Sequence, residues 1–378
     1  MERIVVSVHT CRSYDRDCVD ASVNAILADL GGIGSFIRPG QTVLLKPNLL
    51  FGEPPERAVT THPQVVRSVA LQCLQAGARV ICGDSPGYGS CRGAAERSGV
   101  TAALQDLEVV LGDFGRSVNH GPENGRRFPV ATEVAEADLL INLPKLKTHG
   151  QMVISGAVKN LFGCVVGFRK PAYHSEHPEV DDLAGLMLDL AHAVAPGLTI
   201  MDAVVGMEGP GPHHGAPRQI GILLGSRDPL ALDFVAAELL GVKPEHVPIL
   251  RVASARRYPA ADPAGITAVG EDPAFLRLKD FQLPPNQTRA DFKLPPFLLK
   301  LAGGLMAEKP RITGLCHACG ICGAVCPAKA ITTASGRARI DRKKCINCYC
   351  CEEMCSHGAI LLKQRLIRRL FSAVGLDK

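Results

Sequence analysis

Nine of the chain's 15 cysteines fall between residues 316 and 355, and their spacing is the strongest chemical signal in the sequence. Cys316, Cys319, Cys322 and Cys326 read C-x2-C-x2-C-x3-C and are followed by Pro327. Cys345, Cys348, Cys351 and Cys355 repeat that spacing 29 residues later. The repeat extends past the thiols, because Ala330-Ile331 and Ala359-Ile360 stand at matching offsets. A unit duplicated in this way predicts two halves with pseudo-twofold symmetry. A tight loop with a cysteine every third residue wraps three irons of a cuboidal cluster, and the fourth thiolate, from the Cys-Pro position, holds the cluster of the other half. The spacing therefore assigns one four-iron cluster to Cys316, Cys319, Cys322 and Cys355. It assigns the second to Cys345, Cys348, Cys351 and Cys326. Zinc is the competing reading, but zinc sites are usually four-ligand groups with longer central spacers. Cys350 fits neither set and reads as a spectator. Ser356 stands where a second proline would be and removes no ligand.

The other six cysteines, Cys11, Cys18, Cys73, Cys82, Cys91 and Cys164, are scattered without ligand spacing. An odd total with a dense late cluster fits metal ligation better than a secreted disulfide framework. From Lys309 to Lys363 there are nine Lys/Arg and three Asp/Glu, with Arg337, Arg339, Arg342, Lys343 and Lys344 between the halves. Each oxidised cluster with its thiolates carries about −2. The basic stretch thus reads as compensation and solubility, or as a docking face for an electron carrier such as an acidic ferredoxin or flavodoxin.

Those thiols need a frame, and the first 280 residues supply alternating signals for one. Residues 2–8, 42–45, 79–82, 139–142, 198–202 and 219–225 read as strands. Residues 19–30, 63–76, 181–194 and 228–240 read as helices, the second opened by Thr61 and Pro63. The alternation predicts an α/β fold, with a mainly parallel sheet flanked by helices, plus a small α+β ferredoxin-like unit. The expected organisation is an α/β domain over 1–280, a Pro-rich linker over 281–308, the two-cluster unit over 309–363 and a basic amphipathic tail over 364–378. The tail reads as docking on its own protein, with peripheral membrane or partner contact as the alternative.

The strands end in polar residues beside Gly or Pro: Lys46 and Asn48, Asp84, then Lys145, Lys147 and His149, and Asp202. Each alone is an ordinary polar turn, but together they furnish the crevice found at strand carboxyl ends. Lys46, Lys145, Lys147 and Lys159 make that crevice positive, which implies a small anionic substrate, a carboxylate or phosphate. Lys159 and Asn160 lie in a short apolar helix pattern over 155–167, whose start would offer free N–H groups to an anion. His174, His177, His213 and His214 read as loop residues. His149 and His174 adjoin the lysine-rich segment and are the better proton carriers. The expected catalytic set is Lys145, Lys147, His149, Lys159 and His174. Lys46, Asn48, Asp84, Asn160 and Asp202 are the expected binding set.

Composition narrows the classes. At 378 residues, with 46% hydrophobic and 21% charged residues, the chain is globular with two or three units. Aromatics at 4%, no Trp and a net charge of +5 leave little for nucleic-acid binding. No apolar run reaches the ~20 residues that span a bilayer, and the start lacks a secretory pattern, so a cytoplasmic location is expected. P-loop and H-E-x-x-H patterns are absent, and no G-x-G-x-x-G follows a strand.

The segments KPNLL (46–50), TTHP (60–63), GDSPG (83–87), LPKLKTHG (143–150), GAVKNLFGCV (156–165), MDAVVGMEGPGP (201–212) and DPLALDFVAAELLG (228–241) resemble, in type and order, the domain-of-unknown-function 362 family. Residues 309–363 resemble a bacterial two-cluster ferredoxin, a unit that often follows that domain. The resemblance implies an iron–sulfur protein of bacterial or archaeal type, often from anaerobes, and implies no secure reaction. It adds weight to Lys46, Asn48, Lys145, Lys147, His149, Lys159, Asn160 and Asp202. Three functions stand open: a ferredoxin-dependent oxidoreductase, an electron-transfer adaptor whose α/β domain docks a partner enzyme, and an iron–sulfur scaffolding or maturation protein.

Overall fold

The computed structural model describes residues 3–284, 309–334 and 336–363. Nearly all of the expected linker and the whole of the expected tail lie outside these residues. The strands are β1 (Ile4–Thr10), β2 (Thr42–Pro47), β3 (Arg79–Cys82), β4 (Val109–Leu111), β5 (Ser117–His120), β6 (Phe128–Ala131), β7 (Leu139–Leu143), β8 (Lys145–His149), β9 (Val153–Ser155), β10 (Leu198–Glu208), β11 (Ala216–Ser226) and β12 (Ile266–Gly270). Among the described residues the main sheet runs β12-β1-β11-β10-β7-β2-β3-β4, with β8 beside β10 and β9 beside β8.

The sheet is mixed. Strands β10, β7, β2, β3 and β4 are parallel neighbours. Strand β11 is antiparallel to both β1 and β10. The short connection from β10 to β11 cannot make the crossover that parallel strands need, so these two pair as a hairpin. Val43 to Pro47 of β2 are all buried, as expected of a central strand covered on both faces. Helices Arg16–Asp29, Pro63–Gln75, Val180–Val194 and Pro229–Leu239 bury their apolar faces in the continuous core. His62, not Thr61, caps the second of these, its Nδ1 accepting from Gln64 N at 3.2 Å. The Thr61 hydroxyl is used elsewhere, donating to Leu143 O at 2.6 Å and accepting from Asn48 N at 2.8 Å.

The late cysteine-rich unit adds two antiparallel pairs: β13 (Lys309–Ile312) with β16 (Ile360–Lys363), and β14 (Ile331–Ala334) with β15 (Arg337–Ile340). Two short helices, Ile321–Ala324 and Cys350–Glu353, sit 29 residues apart. Backbone conformation repeats with the same offset: Ala318 and Asn347, Gly320 and Tyr349, and Lys329 and Gly358 all have positive φ. The sequence repeat is therefore a structural repeat. A small core of Ile312, Ile331, Ala338 and Ile360 joins the halves. Val325, Cys350 and Met354 pack with Phe51, which seats the unit on the loop after β2. No helix among the described residues is long and apolar enough to cross a membrane.

Candidate functional site

Strands β2, β3 and β7 run parallel, so their carboxyl ends face one edge. Lys46, next to last on β2, is in register with Asn142 on β7. Its buried ammonium lies 2.7 Å from Asp84 Oδ1, which follows β3. It also donates to Asn160 Oδ1 at 3.3 Å and Pro47 O at 3.0 Å. Asn160 Nδ2 donates in turn to Asn142 Oδ1 at 2.8 Å. Gly163 fits between these groups because a Cβ there would stand 2.1 Å from Asp84 Oδ1.

Above this floor lies a cavity of about 110 Å3. Lys46, Asn48, Asp84, Lys159, Asn160 and His174 all line it. Ser85 and Lys170 line it as well, and Lys170 Nζ is saturated by Ser85 O, Ser85 Oγ and Val165 O at 2.7–2.9 Å. Lys159 differs: among the described residues its ammonium has no hydrogen-bond or ion-pair partner. Burial pushes its pKa down, and Glu353 and Cys350 oppose this by attraction alone. His174 is buried, sits edge-on to Phe162 with ring centroids 6.1 Å apart, and likewise makes no hydrogen bond among the described residues. Burial pushes it down to about 4, so it is neutral at pH 7. It lies on the helix Arg169–Glu176 and not in a loop; Tyr173 packs beside it into the core and anchors that helix.

The remaining wall comes from the cysteine-rich unit. Cys350, Glu353 and Met354 line the cavity together with Val325. Glu353 Oε1 stands 2.8 Å from His149 Nε2. Gln151 N and Met152 N both donate to His149 Nδ1 at 3.1 Å, which puts the proton of the neutral ring on Nε2, facing Glu353. Burial, then the Lys159 charge, pushes His149 down to about 4. Burial alone would raise the Glu353 carboxyl, but His149, Lys159 and His174 together hold it well below the usual range. Cys350 is thus a buried wall residue of the cavity, a place its odd spacing does not suggest.

Lys145, Lys147 and His149 are not a loose strand end. They alternate along β8 and share one face of it, all buried. That face is spread over three environments. Lys145 Nζ donates to Asp202 Oδ2 and Tyr14 Oη, both at 2.8 Å. Asp202 also accepts from Tyr14 Oη, His62 N and Val204 N. The Tyr14 and His62 rings stack with centroids 3.5 Å apart. Lys145 and Asp202 therefore form a closed, satisfied group and do not line the cavity. Lys147 donates to Val59 O at 2.6 Å, and burial pushes it down to about 7. The helix start at Ala157 is also taken: Asp233 accepts from Ala157 N and Val158 N at 2.6 and 3.0 Å, so those N–H groups are not open to an anion.

The late thiols gather crosswise. Cys316, Cys319, Cys322 and Cys355 line one hollow. Burial raises the Cys351 thiol, and the thiols that add to this are Cys348, Cys345, Cys322 and Cys326. The backbone N–H groups of Ala330 and Ala359 point at Cys326 Sγ and Cys355 Sγ, both at 3.2 Å, and Ala338 N at Cys316 Sγ at 3.4 Å. Cys348 packs with Cys350 and Met354 toward the cavity, whereas Cys319, His317 and His357 are exposed. The basic residues Arg337, Arg339, Arg342, Lys343 and Lys344 are exposed too.

The sequence reading missed Ser85, Lys170, Cys350 and Glu353. Ser85 lies inside a segment already marked, GDSPG, but nothing local marks Lys170 as a saturated lysine. Glu353 carries no signal at all, because its partner is some 200 positions away in the chain.

Comparison with known proteins places this geometry in a lineage. A thylakoid-associated protein of Synechocystis sp. is 39% identical over 295 residues, which cover 78% of this chain and 92% of that protein. Formate hydrogenlyase subunit 2 of Escherichia coli is 36% identical over 58 residues, 15% of this chain and 29% of that subunit. Among solved structures, the lactate racemase apoprotein of Thermoanaerobacterium thermosaccharolyticum aligns with a TM-score of 0.40 at 13% identity, covering 62% of this chain and 57% of that one. The domain of unknown function DUF362 matches residues 43–238, the stretch that runs from β2 to the helix after β11 and carries the cavity's lysines, and the chain belongs to that family.

Proposed function

We propose that the protein is an iron–sulfur oxidoreductase, in which the late thiols hold two 4Fe-4S clusters and the cavity binds a small anionic substrate. The donor set fits cuboidal clusters. Cys316, Cys319, Cys322 and Cys355 share one hollow, Cys345, Cys348 and Cys326 lie near enough to Cys351 to act on its thiol, N–H groups aim at sulfur, and positive-φ turns recur in each half. Among the described residues no group of three or more His, Cys, Asp or Glu is arranged to hold a single metal ion. Bound there, the clusters would supply single-electron transfer, which no side chain of this protein performs.

The chain's own residues then divide the remaining work. Lys159 and His174 present unpartnered donors to an anion. Lys46 and Asp84 fix each other, so the floor stays rigid. His149 holds a proton on Nε2 against Glu353. A cavity of about 110 Å3 suits a ligand no larger than a few carbons, since one of about 150 Å3 takes benzene. The observation that carries this reading is the shared wall: Cys350 and Glu353, flanking cluster ligand Cys351, face the same space as Lys159 and His174. An adaptor would need no such open, positively lined space beside its thiols. The exposed basic stretch is the proposed docking face for an acidic ferredoxin or flavodoxin, and a cytoplasmic location belongs to the same proposal.

Anaerobic purification followed by reductive titration tests it. Electron paramagnetic resonance should report two interacting four-iron centres. Reduced protein should be reoxidised by one of a panel of small carboxylates or phosphates. Colourless protein without iron and sulfide, or two reducible centres that no small anion reoxidises, would rule out the clusters or the enzyme role respectively.

A further inference from the structure

Two of the scattered cysteines meet in space although neither belongs to the site. Cys11 follows β1, where its N–H donates to Gly221 O at 2.7 Å, and its side chain is fully buried. Cys18 lies in the first turn of the helix Arg16–Asp29 and is partly exposed. Their sulfurs are 3.6 Å apart. We infer that Cys11 and Cys18 are a reversible disulfide site that exchanges with small-molecule disulfides.

The two thiols have unequal roles. Hydrogen bonding at Ser13 holds the Cys18 thiol below its ordinary range, while burial pushes Cys11 up to about 12. Thiolate is the attacking form, so the accessible Cys18 acts first. Its sulfur attacks one sulfur of R–S–S–R, that bond breaks, and one R–S− leaves and takes up a proton. Cys11 then gives its proton to water and attacks Cys18 Sγ in the mixed disulfide, releasing the second thiol. Two protein thiols are oxidised and one small disulfide is reduced, with no further reactant. Bond formation needs the sulfurs to close to about 2.05 Å, a shift of about 1.5 Å that one turn of chain can absorb. Cys73, Cys82, Cys91 and Cys164, by contrast, are all buried.

The loop so closed carries Tyr14, whose hydroxyl binds both Asp202 and Lys145. Oxidation would fasten that loop over the buried ion pair.

Peptide mass spectrometry tests this on the full chain. Protein prepared without oxygen is treated with oxidised glutathione or with dithiothreitol, alkylated and digested with trypsin. Cleavage after Arg12 and Arg16 separates the two cysteines. The expected result is a cross-linked pair of peptides, 4–12 with 17–57 because Arg38 and Lys46 precede proline, that dithiothreitol abolishes, and a Tm about 5 °C higher in the oxidised form. In Cys11→Ser, Cys18 should be trapped as a glutathione adduct. Both peptides fully alkylated after glutathione disulfide, with Cys18 free of adduct in Cys11→Ser, would overturn the inference.

Discussion

Lys145 and Lys159 are both enclosed lysines on adjacent stretches of the same chain, but their surroundings differ. Lys145 meets Asp202 and Tyr14 at hydrogen-bond distance, and every partner in that group is itself engaged. Lys159 faces a cavity and meets no bonding partner among the described residues. Burial of a charge is costly in both places. In one, the protein's own carboxylate offsets that cost; in the other, the proposed anion would supply the offset. The lesson is that enclosure alone does not mark a binding residue. Unsatisfied hydrogen-bonding capacity does.

The most forceful attack on this comparison is Lys145→Met. Removing one member of a buried pair leaves Asp202 uncompensated and should cost about 3–5 kcal/mol by denaturant unfolding. A loss below about 1 kcal/mol would break the structural reading of that group. Lys159→Met should behave in the opposite way. Its stability should hold or rise, while affinity for the small anion falls about 10- to 150-fold in calorimetric titration, the worth of one charge-assisted hydrogen bond. Equal losses of stability in the two variants would erase the distinction.

Acid sharpens the comparison further. His149 and His174 are each held at about 4 in the folded protein, below the ordinary value of 6.5. The unfolded chain therefore binds more protons between these values, and the two histidines lower stability as pH falls from 6.5 toward 4. Thermal unfolding across that window should show the slope, and His174→Gln should flatten part of it. The smallest effect is expected at the seam between the two parts. A Cβ at Gly87 would stand 2.5 Å from Met354 Sδ, but methionine is flexible. Gly87→Ala should cost no more than about 1 kcal/mol, and should slow reoxidation by the anion more than reduction by the carrier.

Much of this was legible in the residues. The strand at 79–82 falls where its apolar run ends, and Lys46, Asn48, Asp84, Lys159, Asn160 and His174 do converge. Parallel strands bring their carboxyl ends together whatever their order, so a polar residue at each end is readable without the topology. Strand β8 was not readable, because Lys-Leu-Lys-Thr-His places its charged face inward, against the usual pattern. The separation of Asp202 from the cavity depends on which strand β10 adopts as a neighbour, and no local period encodes that. The same holds for Glu353 and Cys350, whose contacts arise when one part of the chain docks on another.

The cysteine-rich unit has a core of only a handful of aliphatic side chains, far fewer than an independent fold of its size requires. If the thiols hold the clusters proposed above, its shape depends on them. Glu353, Cys350 and Met354 reach the cavity only when that lobe is folded. Iron supply would then govern more than redox capacity: a cell short of the metal would hold a chamber missing one side, open to water and unable to retain its guest.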